Sequence, residues 1–197
     1  LEKHFSVLQY APGIEEYALI RAFDYTLKNN PGCDFFIFDM PPTALTLKFF
    51  ALAEISLLWL EKLFELRGAI RKKNEIISKI RLGNIELERD RVMQNIQQQL
   101  EFWHNIDRIF KDSALNLPIL VVNPDKLSVM EGERIKIKLK TLKMPDPLMA
   151  VNKIKDYSIV HHENTLNLPV FENLTGIRNL TSAMDQINFT ILDNSLL

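Results

Sequence analysis

Asp34-Phe35-Phe36-Ile37-Phe38-Asp39-Met40-Pro41-Pro42-Thr43 is the stretch whose reading decides the fold of this 197-residue chain. Asp34 to Phe38 is short, almost wholly Phe and Ile, and does not alternate with polar residues. That is the pattern of a parallel strand covered on both faces. It ends in Asp39, and the C-terminal edge of a strand is where α/β folds place groups that meet a ligand. Two prolines then prevent a helix from starting at once and stiffen the loop, after which Thr43 is placed to cap the next helix. Asp39 also fits a plainer role, because an acid after an apolar run serves as a helix cap or turn residue.

Working outward, Ile14, Tyr17, Ala18, Ile20, Arg21 and Tyr25 follow Pro12-Gly13 at helical spacing, with Glu15 and Glu16 in the first turn. Asn29-Asn30-Pro31-Gly32 stops that helix. Downstream, the pattern is helical from Thr43 to Leu66, and Gly68 with Arg71-Lys72-Lys73 marks a break. A polar helical stretch follows from Asn74 to Phe110, with Gly83-Asn84 placed to divide it. Ile85, Val92, Ile96, Leu100, Trp103, Ile106 and Phe110 recur there as one buried or partner-facing stripe. Residues 68–114 are therefore expected to form a long helical insertion.

Pro118 to Val122, Leu148 to Val151 and Thr165 to Val170 are further strand candidates. A helix from Lys126 to Leu142 precedes the second of them, with Leu127, Met130, Ile135, Leu139 and Leu142 inward. Gly176 to Ile187 is expected as a terminal helix and 190–197 as a frayed tail. Four apolar strands separated by helices predict one α/β domain over residues 1–197, its sheet mostly parallel and flanked by helices.

Hydrophobic residues make up 47% of the chain, enough for a real core. Lys and Arg number 24 against 25 Asp and Glu, so the charge balance supplies no reason to expect nucleic acid as a partner. One cysteine, Cys33, excludes an internal disulfide and a cysteine-based zinc site, and it reads as a small apolar filler before the strand. His161-His162 has no second cluster to complete a metal site. Ala44 to Leu60 is the most apolar stretch, but Lys48 and Glu54 interrupt it. A buried or amphipathic helix is expected there, not a membrane span. No basic-then-apolar signal pattern opens the chain, so a cytoplasmic location is expected.

The run Asp39-Met-Pro-Pro-Thr-Ala-Leu-Thr-Leu-Lys48 resembles the switch II signature of the ArsA family, usually read as D-T-A-P-T-G-H-T-L-R. That family comprises arsenical pump-driving ATPases and ATPases that target tail-anchored membrane proteins. Pro12-Gly-Ile-Glu-Glu16 resembles its P-G-[ILV]-D-E block. Pro118-Ile-Leu-Val-Val-Asn with Glu131-Gly-Glu-Arg134, Val151-Asn152-Lys153, and Leu168-Pro169 through Gly176-Ile-Arg-Asn-Leu180 resemble its later blocks in the same order. The resemblance implies a partial P-loop NTPase domain of the deviant Walker A, SIMIBI-like kind. Its complete form would bind ATP and Mg²⁺, pair as a homodimer, and act on a membrane pump or client protein without crossing the membrane itself. By the same resemblance Asp39 is catalytic and lies near the Mg²⁺, reached through water. Asp39, Pro41, Pro42, Thr43 and Lys48 form switch II. Asn152 holds the adenine, with the backbone at Pro169 and Val170 closing over the base. Without the family, Asn152 is equally a turn residue after a strand.

Three features depart from the family. None of the six glycines stands in G-x-x-x-x-G-K-[ST], the arrangement whose backbone amides cradle a triphosphate. The expectation is a fragment whose P-loop lies upstream, inactive alone. Ala44-Leu45 replace the usual Gly-His, and Lys48 replaces the usual Arg. The absence of a C-x-x-C pair removes support for a zinc-bridged dimer. A non-catalytic ArsA-like interaction module that binds no nucleotide is the alternative. A MinD-like or scaffold ATPase shares Asp-x-Pro but lacks the continuation seen at Thr46-Leu47-Lys48.

Overall fold

The computed structural model describes residues 13–41, 43–81, 90–154 and 165–170, together with Thr181 and Met184; of residues 77–81 and Pro169 only the backbone is described. Ile85, His161-His162, the tail and, apart from Thr181 and Met184, the expected terminal helix lie outside the described residues. The element order is α1 (Ile14–Asn29), α2 (Thr43–Arg81), α3 (Arg91–Lys111), β1 (Ile119–Val122), α4 (Lys126–Thr141), β2 (Leu148–Ile154) and β3 (Thr165–Pro169). The chain divides into two compact units, Leu1–Ile109 and Phe110–Leu197.

In the first unit, α1 starts at Gly13, whose φ of 83° is left-handed and suits glycine. Thr26 Oγ1, Asn29 Nδ2 and Asn30 Nδ2 donate to the carbonyls of Ala22, Tyr25 and Thr26, so the final turn is satisfied by its own side chains. The buried face is Glu16, Ile20 and Asp24, whereas Ile14, Tyr17 and Tyr25 are exposed.

Helix α2 runs through Gly68 without the expected break. A mid-helix glycine costs only about 1 kcal/mol, and Leu66, Arg67, Ala69 and Arg71 around it are strong helix formers. Phe49, Ala53 and Leu57 form its buried stripe. Ile55, Trp59, Leu66 and Ile70 lie on the opposite side and are exposed. By length and composition alone, Thr43–Ile76 is long and apolar enough to cross a membrane. One side of it packs on α1, where Phe23 and Phe49 have ring centroids 6.0 Å apart, and 17% of its apolar window is buried. Three basic residues in the middle of α2 are partnered: Lys62 with Glu65, Arg71 with Glu75, and Arg67 with Asp90.

Asp90 does two jobs at the start of α3. One oxygen accepts from the Met93 amide at 3.1 Å, capping the helix, and both accept from the Arg67 guanidinium at 2.9 to 3.2 Å. The expected stripe of α3 is buried at Trp103, Ile106 and Phe110, while Val92 is exposed.

The Asp34–Phe38 strand is not formed. The segment is extended, but no strand pairs with it among the described residues, and Phe35 and Ile37 are 77% and 96% exposed. A strand needs a hydrogen-bonded neighbour as well as an apolar sequence. The described elements of this unit are helical and offer none. Phe36 and Phe38 instead share one side of the extended chain, their rings stacked at 6.4 Å, and Phe38 packs on Phe23 of α1 at 4.7 Å. Cys33, expected as a filler, is exposed for the same reason.

The second unit holds a three-stranded parallel sheet in the order β1-β2-β3, one strand fewer than expected. Asp125 caps α4 by accepting from the Ser128 amide, and Ser128 Oγ accepts from the Asn123 amide. Central strand β2 is apolar on both faces. Val122, Met149, Val151 and Ile154 pack with Val129 of α4, while Leu148, Ala150 and Leu166 pack with Leu117 and Leu168. On α4 itself Leu139 is buried but Leu127 and Met130 are exposed. The contact with β1 falls instead at Gly132, where an added Cβ would lie 2.8 Å from Val122 Cγ1.

Two predictions follow from these contacts. Gly132→Ala should gain about 1 kcal/mol of helix propensity and lose more by pressing on a short, stiff, buried valine, for a net destabilisation on the order of 1 kcal/mol in denaturant unfolding. Equal or greater stability would show that the α4–β1 gap yields freely. The guanidinium of Arg67, and then the Met93 amide, hold the Asp90 carboxyl below its usual pKa. A depressed folded-state pKa contributes stability that is full above about pH 4 and is lost as pH falls through the lower folded value. Thermal melts should therefore find Asp90→Asn less stable than wild type at neutral pH, with the gap closing on acidification; a gap independent of pH would refute the pairing.

Candidate functional site

The residues singled out by sequence fall into two groups, one in each unit. In the first, Asp39 ends the extended Asp34–Phe38 segment and is exposed. Its loop is held from both sides. Upstream, Phe38 is anchored on Phe23. Downstream, Thr46 Oγ1 donates to the Pro41 carbonyl at 2.6 Å, bending the loop onto the first turn and a half of α2. Thr43 is the first helical residue of α2, so the capping position falls at Pro42, which lies outside the described residues. Lys48 is exposed, and its ammonium lies 3.7 Å from Glu16 Oε1. That contact joins the Pro12–Glu16 block to the Asp39–Lys48 block.

In the second group, β2 and β3 lose register between Val151 and Ile154. Val151 faces Asn167, and Ile154 faces Pro169. Three residues on β2 are therefore matched by two on β3, which is a bulge. Lys153 takes a left-handed φ of 62° to make it. The extra residue is why Ile154 joins the face of Met149 and Val151, which strict alternation would not allow. The half-buried Asn152 sits in this bulge, beside the end of β3 at Pro169 and Val170. Asn152 thus follows the Val151–Asn167 pair in the C-terminal half of β2, and Pro169 is paired with Ile154 two residues further on. A bulge re-aims a side chain, so the edge need not follow the pleat.

Among the described residues no three His, Cys, Asp or Glu side chains are grouped to hold a metal. Mg²⁺ keeps several waters and takes one or two carboxylates together with phosphate oxygens, so an exposed carboxylate such as Asp39 is chemically compatible with it. Asn152, with one acceptor and two donors, can pair with the edge of a base. Glu16 and Phe23 were not singled out as site residues by sequence. The resemblance of Pro12–Glu16 to a family block was the available signal for Glu16, and nothing in the local pattern distinguishes Phe23 from an ordinary core ring.

The β1-α4-β2 unit, with helix α4 packed on a small parallel sheet, makes this an α/β protein. The family model of the anion-transporting ATPases, the ArsA-type ATPases, matches residues 2–168. The chain belongs to that family, and the family implies a P-loop NTPase fold. The match takes in both groups of residues up to Leu168.

Thr46→Val preserves shape and removes the donor to Pro41. The expected result is a loss of about 1 kcal/mol in stability and faster amide exchange over residues 40–45, with Thr46→Ser close to wild type. Unchanged exchange in Thr46→Val would mean that the prolines alone hold the loop.

Proposed function

We propose that this chain is the C-terminal part of an ArsA-like ATPase that couples ATP binding and hydrolysis to anion export or to delivery of a client protein. The observation that carries this reading is the family match over residues 2–168, a span that includes Asp39 and Asn152. Asp39 is the catalytic carboxylate. It lies in a loop pinned by Phe38 and Thr46, where its carboxylate would hold Mg²⁺. When bound, Mg²⁺ neutralises charge on the phosphate oxygens. Pro41, Pro42, Thr43 and Lys48 form switch II, which carries the state of the phosphate end to α2. Asn152 pairs with the adenine, and the backbone at Pro169 and Val170 closes over it.

The amide-rich loop that cradles a triphosphate has no counterpart in these 197 residues. In this reading it is supplied by sequence N-terminal to the chain, and the chain alone does not turn over ATP. The complete protein works in the cytoplasm as a homodimer, engaging a membrane pump or a client without crossing the bilayer and without nucleic acid. The missing loop also favours a second reading, in which the fold serves as an interaction module that binds no nucleotide.

ATP hydrolysis by the intact gene product separates the two. Asp39→Asn should lower kcat by about a hundredfold or more while nucleotide still binds by calorimetry. No nucleotide binding by the intact wild type would leave the interaction module standing, and unchanged turnover in Asp39→Asn would remove Asp39 from the chemistry.

A further inference from the structure

Glu16 poses a physical question of its own. It stands in the first turn of α1, yet its side chain is only 11% exposed. The helix N-terminus favours an acid there, but a carboxylate withdrawn from water also calls for a counter-charge. Among the described residues its ion-pair partner is Lys48, whose own side chain is 70% exposed and 3.7 Å away. At that separation the contact is Coulombic and not a hydrogen bond.

Lys48 lies on the second turn of α2, two residues after Thr46, whose hydroxyl holds the Pro41 carbonyl. The ties form one chain. Asp39 is fixed to Pro41 by two peptide links, Pro41 to α2 by Thr46, and α2 to α1 by Lys48 and Glu16. Phe23 adds an apolar contact between the same elements, touching Phe38 before the loop and Phe49 after it. Helix α1 in turn reaches α3. Tyr17 meets Trp103 at 6.1 Å, and Arg21 lies over the Phe102 ring at 5.0 Å.

From these contacts we infer that Glu16 is a positioning residue for the Asp39 loop, holding the start of α2 through Lys48. The inference rests on the ATPase reading for its use in turnover, but the latch itself is independent of nucleotide. Displacing the first turns of α2 carries the ammonium away and leaves a mostly buried carboxylate without its counter-charge. The cost falls on movement of the switch, not on its resting position. The long, solvent-facing lysine makes the latch reversible, because water can take up the ammonium when it leaves. Arginine in its place presents a forked donor and holds a carboxylate through two hydrogen bonds, so the latch becomes stiffer.

The test is a double-mutant cycle on the intact gene product with Glu16→Gln and Lys48→Met, read by amide hydrogen exchange over residues 43–48 without nucleotide. Each single variant should speed exchange about fivefold, and the double variant should add little further. Lys48→Arg should keep exchange at or below the wild-type rate. In steady-state ATPase assays both single variants should change kcat while leaving KM near wild type, which a general loss of folding would not do. Additive effects in the cycle, or exchange unchanged in Glu16→Gln, would overturn the inference. Coupled exchange in a protein without ATPase activity would uphold the latch and count against the ATPase reading.

Discussion

An extended backbone must find hydrogen-bonding partners beside it, and this constraint organises the structure. Strand β2 has a parallel neighbour on each side, and its residues from Leu148 to Val151 are buried. The helix and loop residues around it serve chiefly to cover its two apolar faces. The Asp34–Phe38 run has a sequence at least as apolar, yet no strand lies beside it among the described residues. Its aromatic side chains take over part of what a ladder would do: Phe36 and Phe38 turn to one side and Phe38 packs at a tilt on Phe23. Phe35 and Ile37 remain exposed because an extended chain alternates its faces and only one face has a surface to meet.

The same constraint shapes the surroundings of both Asp39 and Asn152. Asp39 ends a segment that no sheet holds, so its position depends on local ties: the Phe23 contact, the Thr46 hydroxyl and the Lys48–Glu16 pair. Asn152 belongs to a strand held on both sides, and its position depends on a break in that pairing. The bulge takes one residue out of register, and Lys153 adopts a left-handed conformation to accommodate it. One carboxylate is therefore set by contacts that can be released, and one amide by a backbone feature that cannot easily change.

Much of this was legible in local sequence. Gly13 and Asn29-Asn30-Pro31-Gly32 bound α1 because glycine and asparagine chemistry acts within a turn. Asp125 and Ser128 start α4 for the same reason. The apolar runs at Ile119, Leu148 and Thr165 became the three strands, and the blocks around Asp39 and Asn152 identified the family. Legibility failed where the deciding quantity was non-local. Periodicity could not show that α1 would bury Glu16, Ile20 and Asp24, since a helix with apolar residues around much of its circumference has no unique inner face. It could not show that Leu127 would stay outside while Gly132 met Val122. Gly68 carried a stop signal that helix formers on either side outweighed.

The sequence by itself determined the α/β character, the bounds of α1 and α4, the positions of β1, β2 and β3 and membership of the anion-transporting ATPase family, because each rests on short-range chemistry or on an ordered set of motifs. Only the tertiary structure decided that the Asp39 segment has no strand neighbour among the described residues, that Asn152 sits in a bulge, and that Lys48 meets Glu16. Strand pairing, register and ion pairs join residues distant along the chain. Their partners are chosen by what packing leaves within reach, and no local pattern records that choice.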